Sequence, residues 1–434
     1  ALAYHYAAAG VPAQAARYAE LAGDKALAAM ALDRARAQYS AALVALDERA
    51  PLQREDQLRW CAVAQKLGMA CVFDPLGLAD GVAIFERGVF LARQSGDLNA
   101  IARAEYWMGY ICYAKGRARE ATEHCEASLD LSLRVGDERL AAQVRATLGQ
   151  VLTSACEYDR AYDLLDTAID AKRKQSRPGS SVAVGSAYAL SCKGCLLGDR
   201  GLFAQAESCF EEALSLLGSS PHQVGASVRG WIAAVYMWRG RWEDALRVAN
   251  EAAHIAEFVK SRQLLAMDRA LAGYSSWILT RRPEAIQAVR DATAWIEVRN
   301  GAFLTSLNYG WLVDGAIDLG RYDEARRHAA RLFVRARARD RIGEAMGCRA
   351  LARAAAAAQD FARAEHYLDL ALRSAAARGS PHERAVTALC RAQIEVGRGR
   401  TAEAQAPLDA ACAAFEAMDM RWHLEEARRL MDRL

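Results

Sequence analysis

A thirteen-residue pattern recurs eight times in this 434-residue chain at steps close to 40 residues, and no other feature restricts the fold so strongly. It reads GRAREATEHCEAS from Gly116, CEYDRAYDLLDTA from Cys156, GLFAQAESCFEEA from Gly201 and GRWEDALRVANEA from Gly240. It continues as TRRPEAIQAVRDA from Thr280, GRYDEARRHAARL from Gly320, QDFARAEHYLDLA from Gln359 and GRTAEAQAPLDAA from Gly399. The sixth residue is always Ala: Ala121, Ala161, Ala206, Ala245, Ala285, Ala325, Ala364 and Ala404, spaced by 40, 45, 39, 40, 40, 39 and 40. In most units an apolar residue follows at +4 and a small one at +7, which places all three on one helical face. Twelve residues before the anchor stands Gly109, Gly149, Gly194 or Gly273, with Ala233, Ala352 and Ala392 in other units. A small residue there lets a preceding helix cross closely. Each unit is thus a helix–turn–helix that cannot bury its own face and must stack on its neighbours. With Pro at only 8 residues, the composition agrees with a chain that is nearly all helix. The expected fold is all-α, a right-handed α-solenoid or superhelix.

The array extends upstream. Ala35 with Tyr39 and Ala42 repeats the second-helix pattern, and Gly81 with Phe85 and Gly88 repeats it more weakly. The expected organisation is junction helices and a first repeat over 1–50, the array over 51–418, and a charged, amphipathic capping helix over 419–434. Loops are expected at 74–77, around Asp74-Pro75-Leu76-Gly77, and at 176–182 within the basic stretch KRKQSRPGSS from Lys172. The backbone from Arg177 to Ser181 is the expected first site of proteolysis.

The small-residue offsets resemble those of the tetratricopeptide repeat, with units of about 40 rather than 34 residues. A second resemblance lies at the ends of the chain. The opening combines Ala3-Tyr4-His5-Tyr6, Ala9-Gly10, Ala22-Gly23 with Ala26-Leu27, and Ala35 with Ala42-Leu43; the close reads MDMRWHLEEARRLMDRL. These segments resemble the C-terminal repeat region of large bacterial signalling proteins. In those proteins an AAA/STAND-type ATPase module precedes the repeats, linked to a nucleotide cyclase or belonging to a LuxR/MalT-type regulator. The resemblance implies an accessory part of a longer protein whose partners include upstream domains of the same chain.

Catalytic signatures are missing from the sequence. No GxxxxGK[ST], HExxH or GxSxG occurs, and the eight His are scattered without ligand spacing. Cys192 and Cys195 form a CxxC with no second ligand pair, so helix packing is its simplest role. A count of 11 Cys is odd, and free thiols on helical faces suit a reducing cytoplasm. No apolar run reaches membrane length. A net charge of +3 argues against direct nucleic-acid binding. No cofactor or metal is expected, and no enzyme activity of this chain; an all-α enzyme is the remote alternative.

Two residue sets are candidates for recognition. In tetratricopeptide arrays the first helix of each unit lines the concave surface. The corresponding offsets here select Arg103, Tyr106, Tyr110, Tyr113, Tyr188, Cys195, Met237, Tyr274 and Trp277, then Asp314, Arg349 and Arg353. Tyr106, Tyr110, Tyr113, Tyr188, Tyr274 and Trp277 either line a groove for a protein or peptide partner or pack inside the coil. The second set is a basic face, Arg327, Arg331, Arg335 and Arg339 at i+4, either solvated or paired with acidic neighbours. The function these readings favour is a regulatory or sensor interaction module, with a free-standing scaffold or peptide receptor as the alternative. Oligomeric state is not legible.

Overall fold

The computed structural model describes residues 2–29, 31–49, 51–72, 74–78, 80–173, 180–218 and 221–434. Among these residues there are helices and turns and no strand. The chain gathers into two compact units, Ala1–Leu148 and Gly149–Leu434.

The first unit holds α1 (Leu2–Ala8) and the hairpins α2 (Pro12–Ala28) with α3 (Leu32–Asp47), α4 (Arg54–Cys71) with α5 (Gly81–Ser95), and α6 (Leu98–Ala114) with α7 (Ala118–Arg134). The segment at 74–77 forms a 3-10 turn, Pro75–Gly77. The division falls inside α8 (Glu138–Ser154).

The second unit continues with α9 (Tyr158–Arg173), α10 (Ser181–Asp199) with α11 (Phe203–Leu217), and α12 (Gln223–Arg239) with α13 (Trp242–Phe258). Then come α14 (Arg262–Thr280) with α15 (Pro283–Glu297), α16 (Thr305–Asp318) with α17 (Tyr322–Arg337), and α18 (Glu344–Ala357) with α19 (Phe361–Arg378). The last are α20 (Pro381–Gly397) with α21 (Thr401–Ala417), and α22 (Arg421–Met431). Of the expected cleavage segment, 177–179 lie outside the described residues, while Ser180 caps α10 by accepting from the Ala183 amide.

The eight anchor alanines fall on α7, α9, α11, α13, α15, α17, α19 and α21, one per hairpin. All are buried except Ala285, which is half-buried. The residue twelve before the anchor meets the residue four after it. A Cβ on Gly109 would stand 2.7 Å from Cys125, on Gly149 2.8 Å from Leu165, and on Gly194 2.6 Å from Phe210. Gly23 meets Tyr39 in the same way at 2.5 Å, so the repeat reaches α2 and α3. Pairing of glycine with a large side chain is what sets the hairpin spacing.

In the eight hairpins that carry an anchor alanine, the turn takes one left-handed residue. Gly240 supplies it at φ 82°, while Cys156 and Gln359 adopt it at 60° and 59°. Thr280, aligned with the turn glycine by sequence, does not. Helix α14 runs through it, and Arg281 takes the left-handed conformation at φ 54°. Pro283 begins α15 at its first turn, where its fixed φ is accommodated, and this moves the turn by one residue.

Candidate interaction surfaces

In the first unit, α4, α5 and α6 enclose an open cavity of about 220 Å³ lined by Leu58, Cys61, Gln65, Phe85, Arg103 and Trp107, with small residues including Ala62, Gly88 and Ala104 between them. Gly88 contributes no side chain to the lining, and a Cβ there would lie 3.3 Å from Trp60. Trp107 is fixed because its ring lies beneath Gly68, where a Cβ would come within 2.5 Å. Arg103 is held by Asp137 at 2.5 Å. Sequence offsets selected Arg103, and the weak repeat singled out Phe85 and Gly88, whereas Leu58, Cys61, Gln65 and Trp107 were missed. The signal available was the run of small residues at Gly81 and Gly88.

The three tyrosines expected on this inner face are largely enclosed. Tyr106 and Tyr113 are each 5% exposed, and Tyr110 is half-buried. The Tyr106 hydroxyl accepts from Gln143 Nε2 at 2.9 Å, and burial pushes its phenol pKa up. Tyr110 donates to the Val72 carbonyl at 2.7 Å. Both hydroxyls are engaged within the first unit, one by α8 and the other by the residue that closes α4.

The second unit closes on itself. Asp199 at the end of α10 receives Arg378 Nη1 at 2.6 and 2.5 Å, Tyr158 at 2.5 Å and His382 Nε2 at 3.0 Å. Arg339 reaches Glu157, and Arg239 reaches Asp419. The long-range partners among these lie 179 to 183 residues apart, about four and a half repeats, so the coil returns on itself at that interval. Asp199, Arg378, His382 and Glu383 are all buried. Burial alone would raise the Asp199 carboxyl, but Arg378 and His382 hold it well below the usual carboxylate range. Arg349 joins the group through Glu383 and Thr387. The sequence offsets selected Arg349 but gave no sign of Asp199, Arg378, His382 or Glu383, because Asp199 meets the others only through the coil.

Closure explains the fate of the other expected inner-face aromatics. Tyr274 and Trp277 are 3% and 2% exposed. Tyr274 donates to Asp314 at 2.9 Å, stacks on Trp311 with centroids 5.2 Å apart, and meets the edge of Trp242 at 6.3 Å. Arg353 in turn binds Asp314 at 2.7 Å and Asp318 at 3.1 Å. Tyr188 is half-buried on α10. Tyr274 and Trp277 are thus enclosed within the second unit, whereas Tyr188 keeps part of its surface exposed.

The basic row is shorter than its i+4 spacing suggests. Helix α17 ends at Arg337, and Arg339 lies beyond it at φ 74°, turned toward Glu157. Arg327 and Arg331 are exposed and Arg335 is half-buried. Arg331 and Arg335 lie within electrostatic reach of Tyr309, whose hydroxyl donates to Glu297. Cys192 and Cys195 are buried in α10, and burial pushes the Cys192 thiol up to about 12. No cluster of three potential metal ligands occurs among the described residues, nor any helix long and apolar enough to cross a membrane.

Residues 100–174, spanning most of α6 to α9, match the tetratricopeptide repeat family model. No curated protein matches the sequence. Among solved structures, the Rap conjugation gene regulator of plasmid pLS20 in complex with the Phr* peptide is similar at 12% identity and a TM-score of 0.55, over 82% of this chain and 94% of that one. The apo quorum sensor NprR from B. thuringiensis has 12% identity and a TM-score of 0.48, over 74% and 87% of the two chains. Aspartyl phosphate phosphatase F from Bacillus subtilis has 13% identity and a TM-score of 0.45, over 83% and 93%. At such identities the likeness is one of fold: this chain is a tetratricopeptide-like all-α solenoid.

Proposed function

We propose that the chain is a non-catalytic interaction module that receives a protein or peptide partner on its inner helices. The observation that carries this reading is the open cavity between α4 and α6. Its 220 Å³ falls below the roughly 300–1,000 Å³ of small-molecule pockets and suits one apolar side chain presented by a partner. Single anchors seated in such sockets supply a disproportionate share of binding energy. Arg103 and Gln65 stand in the lining to meet the polar groups flanking that anchor. The pLS20 regulator, a similar fold, holds a peptide, and that lends support to an extended peptide as the occupant here.

In its finer form the proposal makes this module the regulatory or sensor part of a larger bacterial signalling ATPase, nucleotide cyclase or transcription regulator. The opening and closing segments of the sequence support it, and upstream domains of the same protein are then a further class of partner. The cysteines are all free, which suits the cytoplasm as the place of action.

The test is to plug the socket. Ala104→Phe places a ring in the cavity from its half-buried wall. A peptide selected from a displayed library against the native chain should lose tenfold or more in affinity, about 1.4 kcal/mol, while helicity and melting temperature hold. Unchanged affinity would remove the socket from the binding surface. Coding sequence upstream that lacks an ATPase, cyclase or DNA-binding domain would favour a free-standing scaffold.

A further inference from the structure

The coil of the second unit is held by a seam of contacts, and one end of that seam contains a buried imidazole whose Nδ1 has no hydrogen-bond partner among the described residues. There the turn between α21 and α22 sits on the turn between α12 and α13. Arg239 donates to the Asp419 carbonyl at 3.3 Å and to its carboxylate at 2.5 Å. Trp422 packs edge-on against Trp242, with centroids 5.6 Å apart.

His423 lies between these contacts at 6% exposure, with Phe415 at 5.3 Å and Trp422 at 5.0 Å. Gly240 presses on its other side, where even a Cβ would come 2.8 Å from Nδ1. That nitrogen has no hydrogen-bond partner among the described residues. The charged and titratable groups facing the ring are His382 and Glu383 from α20 and Arg349 from α18. Glu383, the acid among them, is already engaged by Arg349 and Arg378.

We propose that this seam is an acid-sensitive closure, with the His423 imidazole as the group that takes the proton. Closed, the buried Nδ1 has no hydrogen-bond partner among the described residues, and the one acid facing the ring is already bound by two arginines. Burial drives the imidazole pKa down to about 3, His382 and Arg349 add to the effect, and Glu383 opposes it. Opened to solvent, the ring titrates near 6.5. The closed form therefore binds fewer protons than the open one. Its advantage is complete above about pH 6.5 and is eroded as pH falls toward 3, by tenfold in the opening constant per pH unit. Opening exposes Trp242 and, behind it, Tyr274, so the same event that loosens the coil uncovers inner-face aromatics.

Amide hydrogen exchange on the full chain reads this locally at 240–242 and at 420–424, corrected for intrinsic rates. A local readout is needed because the buried carboxyls Asp268 and Asp340, whose pKa values are raised by burial, shift global stability in the opposite direction. Between pH 7.5 and 5.5 the opening constant at both turns should rise about tenfold. His423→Gln, neutral at both values, should abolish the difference. Should Gln strip protection at pH 7.5, His423→Phe keeps a ring against Phe415 and replaces it. Arg239→Gln should raise exchange at pH 7.5 and leave the tenfold ratio intact. Equal protection of the native seam at the two pH values overturns the proposal, as does a tenfold ratio that survives in either His423 variant.

Discussion

At Gln359 the backbone takes φ 59°, the conformation that glycine supplies in the equivalent turns at Gly201, Gly240, Gly320 and Gly399. An L-residue in that region brings its Cβ too close to the following carbonyl oxygen, at a cost of roughly 1–2 kcal/mol. Gln359 is exposed, so its side chain holds nothing in the core that would offset the strain. Gln359→Gly should raise stability by roughly 0.5–1 kcal/mol, the strain relief less the extra freedom glycine gives the unfolded chain. A denaturant melt reads the difference. Gly194 carries the reverse constraint, since a Cβ there would lie 2.6 Å from Phe210. Gly194→Val should cost roughly 1–3 kcal/mol, because the two helices of the hairpin must separate to admit it.

Helix α16 begins inside the protein, and its first amides need partners. Asp340, in the turn after α17, provides one: its carboxylate accepts from the Ser306 amide at 2.9 Å and from the Ser306 hydroxyl. The Ser306 hydroxyl oxygen in turn accepts from the Gly343 amide at 3.1 Å. Burial raises the Asp340 carboxyl to about 6, against the pull of the Ser306 bonds and Arg335. The folded state thus holds this proton more tightly than the unfolded chain, whose Asp titrates near 3.9. The stability contributed is complete below about pH 4 and is lost as pH rises through 6. Asp340→Asn removes the titration while retaining an acceptor. The stability difference between native chain and variant should shrink by an amount on the order of 2–3 kcal/mol between pH 4 and 7. Urea melts across that range measure it, and a difference that grows instead would place the proton elsewhere.

For the second unit as a whole, the return of the coil after about four and a half repeats is the deciding event, and the Asp199–Arg378 pair is its buried centre. Both side chains are fully enclosed. Removing one leaves the other a buried charge without its main partner, so Arg378→Met should cost roughly 3–5 kcal/mol. Replacing both, with Asp199→Leu added, should recover much of that loss, since well-packed apolar groups substitute for buried ion pairs at little cost. A double-mutant cycle on unfolding midpoints tests the coupling. If the losses simply add, the pair does not hold the coil.

The period, the hairpins and the anchor positions were legible in the chain itself. They rest on local geometry: 3.6 residues per turn, small residues at fixed offsets, and a left-handed residue between helices. Even the one-residue shift at Arg281 follows from Pro283, a neighbour in sequence. The roles of Tyr106, Tyr274 and Trp277 were not legible. A helix face that points inward reads the same whether the coil is open or closed, and 40-residue spacing says nothing about what arrives from about 180 residues away. Asp199, Arg378, His382 and His423 carry no pattern at all, because they touch through the rise and curvature of stacked hairpins. Those quantities are sums of many small packing angles, set when side chains such as Phe210 meet glycines such as Gly194. Short-range sterics therefore settled which helices form and pair, while the accumulated tertiary geometry decided which inner residues are buried, which charges meet, and where an opening to a partner remains.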